Sequence, residues 1–140
     1  MFGETMSSEP IISDFMTAIP QTIEAEQTLA QAAARMRTHK IRHLPVLQNG
    51  NLVGILSERD ILLLEATHGG NLEKILVEKA MVIQPFTCGP KAMIRAVAKE
   101  MADNKYGTAV VVDREHPSRV LGVFTTVDAL RALNLLGSAS

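Results

Sequence analysis

The chain has 140 residues, of which 46% are hydrophobic and 21% are charged, so it is long enough for one compact domain with a hydrophobic core. Its 14 basic and 15 acidic residues give a formal net charge of -1, which provides no electrostatic footprint for duplex nucleic acid or an anionic membrane. The single cysteine excludes an intrachain disulfide, and the amino-terminal residues lack the basic and apolar segments of a signal peptide. We therefore expect a cytoplasmic protein.

The first half of the chain predicts an order of strand, helix, strand, strand and helix. A short extended segment leads to an alanine-rich helix over about residues 28–39, for which Thr28 and Gln31 form a capping box. The segments "HLPVL" and "LVGIL" then predict two strands, joined by the hairpin turn "QNGN". A last helix follows the second of these strands.

The second half repeats this order. It contains a helix over about residues 92–104, two strands separated by a longer loop, and a last helix. Met16 matches Met81 and Met36 matches Met101 at the same offset along the chain, so the two halves are in register. Each half alone is too small to be stable, and we expect the two to pack against each other.

The sequence between the two halves predicts a linker. Gly69 and Gly70 end the preceding helix, and Asn71 caps a further short one. The prediction is therefore an α/β (α+β) fold, made of a tandem pair of β-α-β-β-α repeats related by pseudo-twofold symmetry. The boundaries are an amino-terminal extension at 1–12, the first repeat at 13–67, the linker at 68–77, the second repeat at 78–136 and a flexible tail at 137–140.

Each repeat contains the same strand-to-helix transition, which we call the first corner ("GILSERD", 54–60) and the second corner ("GVFTTVD", 122–128). One interpretation is purely structural: a hydroxyl at the helix N-cap and an acid three residues later form a capping box. The other is functional. A helix start attracts phosphate, a cap hydroxyl donates to it, an acid accepts from ribose hydroxyls, and a preceding glycine lets a ligand approach the backbone.

These motifs resemble those of the cystathionine-β-synthase (CBS) domain pair, also called the Bateman module. The first repeat carries them as "QTI", "RHLPVL" and "GILSERD", and the second as "FTC", "GTAVVV" and "GVFTTVD". The resemblance implies two clefts between the repeats for adenosine nucleotides (AMP, ADP or ATP) or S-adenosylmethionine as regulatory ligands, with no obligatory cofactor. It also implies a disc-like homodimer.

The resemblance further assigns roles to individual residues. Asp60 and Asp128 would bind ribose, and the hydroxyls of Ser57 and Thr125 would contact phosphate. The base would lie beside Thr22, Ile23, Thr87 and Cys88. The remaining ligand-binding candidates are Arg42, His43, Pro45, Gly54, Arg59, Gly107, Thr108 and Gly122.

The two clefts differ in predicted charge. Arg42, His43 and Arg59 lie near the first corner in the sequence, whereas Gly107 and Thr108 occupy the positions that match Arg42 and His43. A cation favours a phosphate-bearing ligand through charge-assisted hydrogen bonds. We therefore predict that the first cleft is the better nucleotide site.

Other functional classes find little support in the sequence. His39 and His43 have a spacing that suits metal ligands on a helix, but the predicted helix ends between them, so we expect no metal site. No nucleophile elbow or glycine-rich phosphate loop indicates an enzyme, and we predict no catalytic residue. Cys88 is equally explained as a small buried hydrophobe.

Two functional hypotheses remain. The first is a regulatory, ligand-sensing module that binds an adenosine nucleotide and acts on a separate, unknown partner protein. The second is a ligand-independent dimerisation scaffold, in which the two corners only cap helices. Nucleic acid and membranes are unlikely partners on composition.

Overall fold

The computed structural model describes residues 9–18 and 21–138 and has the predicted mixed α/β architecture. The first repeat contributes β1 (Thr17–Ala18), β2 (Ile23–Glu24), α1 (Leu29–His39), β3 (His43–Gln48), β4 (Asn51–Ser57) and α2 (Glu58–Thr67). The second contributes β5 (Val82–Ile83), β6 (Thr87–Cys88), α3 (Ile94–Asn104), β7 (Thr108–Val112), β8 (Val120–Thr125) and α4 (Thr126–Ser138). Both halves follow the predicted order, but each leading segment forms two short strands instead of one.

The repeats exchange their first strands. One sheet has the order β2-β3-β4-β5 and the other has the order β1-β8-β7-β6, so β1 and β5 each lie in the sheet of the other repeat. The exchanged strands run antiparallel to their neighbours, with Thr17 opposite Val123 and Ile83 opposite Gly54. The sequence predicted the packing of the two repeats but not this exchange, because a strand of two residues carries no readable periodicity.

The glycine of each corner makes the exchange sterically possible. A Cβ atom on Gly122 would lie 2.5 Å from the backbone oxygen of Thr17, and one on Gly54 would lie 2.6 Å from Sδ of Met81 and 2.9 Å from the backbone oxygen of Val82. These glycines therefore leave room for the incoming strand. The two glycines therefore have a structural role, and the interpretation that they let a ligand approach the backbone stays a prediction.

Three apolar clusters hold the fold together. One lies in the first repeat around Leu29, Leu44 and Leu56, and another lies in the second repeat around Ile94 and Phe124. The third joins the two sheets. Its buried members are Ile55, Val110, Val112 and Val123. Burial of this third cluster is the physical basis of the predicted contact between repeats.

Local signals along the chain produce the predicted caps and turns. The Thr28 hydroxyl accepts from the Gln31 amide at 3.2 Å, and the Gln31 side chain accepts from the Thr28 amide at 2.9 Å, which completes the capping box of α1. Asn49 and Gly50 have φ values of 52° and 80°, as a tight hairpin turn requires. No helix in the described part of the chain combines the length and hydrophobicity needed to cross a bilayer.

The structure alters three details near the predicted boundaries. Ile12, assigned to the extension, is fully buried in the second repeat, and its amide bonds to the Ala92 carbonyl at 2.9 Å. Asn71 precedes a 3-10 turn (Leu72–Lys74) and its side chain does not cap it. The last helix, α4, continues to Ser138, two residues into the predicted tail. Pro20, which we placed in the first leading segment, lies outside the described residues.

Candidate functional site

Both corners form capping boxes. At the first corner the Asp60 amide donates to Ser57 Oγ at 3.0 Å, and the Ser57 amide donates to Asp60 Oδ2 at 3.0 Å. At the second corner the Asp128 amide donates to Thr125 Oγ1 at 3.3 Å, and the Thr125 amide donates to Asp128 Oδ2 at 2.9 Å. The structural interpretation of the repeated motif is therefore confirmed at both sites.

The two boxes differ in their environment. Asp128 is only 3% exposed, accepts a further hydrogen bond from the Thr125 hydroxyl at 3.1 Å, and lies 3.6 Å from the guanidinium of Arg131. Asp60 is half-buried. A buried carboxylate with an oxygen facing a cation is held in place and remains able to accept hydrogen bonds from a ligand.

A cavity of about 440 Å³ opens at the second corner, and we call it the central cavity. Both repeats line it. The second repeat contributes Gly107, Thr108, Val123, Thr125, Thr126, Val127, Asp128 and Arg131, and the first contributes Thr17, Lys40, Ile41, Arg42 and His43. Three permanent cations and one carboxylate thus face the same space. This balance favours an anion that also presents hydroxyl groups.

His43 lies where the two repeats meet. It is the first residue of β3, pairs with Ser57 of β4 and lines the central cavity. Burial lowers the pKa of its imidazole from the ordinary value, the carboxylates of Asp60 and Asp128 act in the opposite direction, and Arg42 lowers it further. His43 is therefore the titratable group that both corners influence.

The structure groups the predicted site residues differently from the sequence. Arg42 and His43, assigned to the first cleft, line the cavity of the second corner together with Gly107 and Thr108. Arg59 is exposed and does not line that cavity. Arg42 also lies beside the first corner, where its carbonyl accepts from the Glu58 amide at 2.9 Å and it lines another cavity, of about 540 Å³, with Glu58 and Ile61. The charge argument from Arg42 therefore applies to the central cavity as well, and the preference for the first cleft stays a prediction.

Four residues expected beside the base do not line the central cavity. Ile23 and Cys88 are buried in the cores of their repeats, and the carbonyl of Thr22 accepts from Arg35. Thr87 borders a small cavity of about 250 Å³ beside the β3–β4 turn. The reason is that β2 and β6 pair with the later parts of β3 and β7, as Ile23 does with Val46, away from the corners. Their place at the corners is taken by β1 and β5.

Pro45 and Cys88 also have structural explanations. Pro45 is buried in β3 opposite Ile55. Cys88 is 5% exposed. Burial raises the pKa of its thiol to about 11, although the nearby cation of Arg114 acts in the opposite direction. It is therefore protonated at neutral pH and acts as the small buried hydrophobe that was the alternative interpretation.

The sequence missed Thr17 and Arg131 as cavity residues, and it left Lys40 open between a solvated helix face and a phosphate-facing basic patch with Arg35, Arg37 and Arg42. Lys40 carries a signal, since it matches Lys105 in the second repeat and both end a helix in the left-handed conformation. Arg131 follows Asp128 by three residues on the same helix face, which is the spacing of an ion pair. In the described ranges, 9–18 and 21–138, no three His, Cys, Asp or Glu side chains converge as metal ligands.

Comparisons with known proteins give this geometry a context. The sequence model of the CBS domain matches residues 12–66 and 77–135. The CBS domain-containing protein YhcV of Bacillus subtilis is 28% identical over 105 residues, which are 75% of this chain and 74% of YhcV. The chain is also 30% identical over 120 residues to an L-aspartate semialdehyde sulfurtransferase of Methanosarcina acetivorans, but it spans only 22% of that enzyme.

A solved structure matches nearly the whole fold. The CBS domain pair of protein MJ0100, determined in complex with 5'-methylthioadenosine and S-adenosyl-L-methionine, superposes with a TM-score of 0.76 at 25% sequence identity. The match covers 95% of this chain and all of that one. The two sequence repeats and the two four-stranded sheets of this chain thus agree with the architecture of that domain pair.

Proposed function

Because the chain belongs to the CBS domain family, we propose that its central cavity binds an adenosine nucleotide and that the protein is a regulatory module. The observation that carries this proposal is the convergence of a buried carboxylate, Asp128, with Lys40, Arg42 and Arg131 in one cavity shared by both repeats. The MJ0100 domain pair, of the same fold, binds two adenosyl compounds. The role is regulatory and not catalytic.

Each part of a nucleotide has a chemical counterpart in the cavity. Asp128 accepts hydrogen bonds from the ribose hydroxyls, and the cations of Lys40 and Arg42 bind the phosphate. The exchanged strand β1, through Thr17, borders the space left for the base. The volume of about 440 Å³ falls within the range of small-molecule sites.

Regulation requires that the ligand binds two states of the protein with different affinities. A ligand in the central cavity contacts both repeats, so it stabilises one relative arrangement of the two sheets. The matched enzyme carries a region like this as about a fifth of its length. In this chain, we propose that a separate, unidentified partner protein responds to ligand binding. A cytoplasmic location stays a prediction.

A thermal-unfolding screen tests the proposal. The purified protein is heated with AMP, ADP, ATP, S-adenosylmethionine and guanosine monophosphate in turn. A ligand at 100 times its dissociation constant that binds only the folded state adds about 2.7 kcal/mol to the free energy of unfolding. We expect an adenosine nucleotide to raise the unfolding temperature and guanosine monophosphate to leave it unchanged.

Two matched variants locate the site. Asp128→Asn keeps an oxygen for the capping box but removes the charge, and we expect it to abolish the ligand-induced shift. Asp60→Asn makes the same change at the first corner and is expected to retain the shift. No shift with any ligand at millimolar concentration would overturn the proposal, and loss in Asp60→Asn alone would move the site to the first corner.

The alternative function is a ligand-independent dimerisation scaffold. Large apolar side chains are exposed on α2 and α4. They are Leu62, Leu63, Val127, Leu130, Leu133 and Leu135. A homodimer through these helices is compatible with both functions. The scaffold alone predicts a dimer that persists on dilution, measured by light scattering, together with no response to any ligand in the screen.

A further inference from the structure

His43 occupies an unusual place for a histidine outside a catalytic site. It is half-buried at the start of β3, and its backbone is fixed by pairing with Ser57. Among the described residues, its imidazole has no hydrogen-bond partner, although it lines the central cavity. The imidazole of a residue that lines the cavity thus has hydrogen-bonding capacity that no described residue uses.

Charged groups face His43 from every element around it. Asp60 on α2 and Asp128 on α4 favour the protonated imidazole, while Arg42, its neighbour in sequence, opposes it. Lys40, from the end of α1, and Arg131 on α4 line the same cavity and add positive charge. In the empty cavity, burial outweighs the two carboxylates, so the neutral imidazole is favoured.

We propose that His43 takes up a proton when a phosphate-bearing ligand enters the central cavity, so that binding is coupled to pH. The proposal rests on the proposed function and adds a regulatory input to the same site. A phosphate monoester carries a charge of about -1.5 to -2 at neutral pH, as it does in phosphorylated side chains. Such a charge favours the imidazolium and gives the ring an acceptor for its N–H groups.

The sign of the coupling follows from the two protonation states. Because the pKa of His43 is higher with the ligand bound than without it, the bound state holds more protons and affinity increases as pH falls. The gain in affinity is complete below the pKa of His43 in the free protein. It is lost as pH rises through the pKa of His43 in the complex. The phosphate acts in the opposite direction, since its second proton, with a pKa of about 6, is released on binding to cations.

Calorimetry of AMP binding at pH 7 measures this proton directly. The titration is repeated in two buffers with different heats of ionisation, and the difference gives the number of protons exchanged. We expect net uptake of a fraction of one proton by the unmodified protein. Between pH 8 and pH 6.5, we expect the affinity for AMP to rise about threefold or more, within the limit of tenfold per pH unit for one proton.

Matched controls assign the proton to His43. His43→Gln is neutral at every pH, and it should show proton release from the phosphate in place of uptake. His39→Gln changes an exposed histidine outside the cavity and should behave like the unmodified protein. Adenosine, which has no phosphate, should bind without proton uptake. If His43→Gln does not fold, the imidazole carbon signals of the unmodified protein, followed by NMR with and without AMP, report the same shift.

The outcomes separate this inference from the proposed function. If no ligand of the thermal-unfolding screen binds, the proposed function fails and the proton coupling fails with it. If AMP binds without net proton uptake, or if the uptake persists in His43→Gln, the coupling is overturned and the nucleotide site stands. Net uptake that disappears in His43→Gln supports both.

Discussion

The first and second corners have the same hydrogen bonds and different surroundings. In both, a hydroxyl and a carboxylate three residues apart satisfy the first amides of a helix. Only the second corner buries its carboxylate, at 3% exposure, next to an arginine and a cavity lined by the opposite repeat. A local motif thus specifies a helix start in either repeat, while the residues that face it from the other repeat determine the cavity in which we propose the binding site.

The largest effect should come from breaking the exchange at one corner. Gly122→Ala places a Cβ atom 2.5 Å from the backbone oxygen of Thr17, which cannot move without displacing β1. We expect a loss of about 3 kcal/mol in the free energy of unfolding, measured by urea denaturation. Gly54→Ala first meets the flexible side chain of Met81 and should cost less, about 2 kcal/mol.

Gly107→Ala is the control for this pair. A Cβ atom at residue 107 would meet no other atom within 4 Å, so the free energy of unfolding should change by less than about 0.5 kcal/mol. Equal stability of all three variants would contradict the steric explanation for the corner glycines.

A smaller effect distinguishes two arginines that the sequence assigned to the same cleft. Arg42→Ala removes a cation from the central cavity, and we expect about tenfold weaker binding of AMP, the loss of one charge-assisted interaction. Arg59→Ala removes an exposed cation next to the first corner and should leave the affinity unchanged. Calorimetry on both variants measures this. Weaker binding in Arg59→Ala alone would restore the first cleft as the nucleotide site.

The smallest expected change in stability concerns two equivalent lysines, at which stability and AMP binding can be measured separately. Lys40 and Lys105 end α1 and α3 with φ values of 55° and 60°, a conformation that glycine adopts without strain. Replacing either with glycine should stabilise the protein by about 0.5 to 1 kcal/mol in thermal unfolding. Only Lys40→Gly should also weaken AMP binding, because Lys105 lies outside the central cavity. Equal affinities in the two variants would exclude Lys40 from the site.

Much of the fold could be predicted from the sequence because its signals are local. The capping boxes at Thr28 and both corners, the turn at Asn49 and Gly50, and the repeat itself depend on residues close together in the chain. The grouping of the site could not be predicted in the same way. The sequence places Arg42 near the first corner, where its carbonyl accepts from the Glu58 amide, but it does not show that Arg42 also lines a cavity with Asp128, because the ends of α1 and β8 meet across the interface between repeats.

A related cause explains why some predicted site residues do not line the central cavity. The resemblance to the CBS family made Thr22 and Thr87 candidates, yet β2 and β6 pair with strand residues away from the corners. The strands that do reach the corners, β1 and β5, are two residues long and lack any pattern that identifies their partners. Only the pairing with the opposite sheet reveals that Thr17 lines the cavity.

The exchanged strands also determine what holds the two halves together. A repeat on its own would lack one strand of its sheet and would leave the backbone hydrogen-bonding groups of β4 or β8 unpaired along one edge. A second copy of the same repeat offers the missing strand, so the contact made within this chain is also one that two separate half-length chains can make. The linker around Gly69 and Gly70 makes this association intramolecular, and it thereby sets the effective concentration of each half for the other.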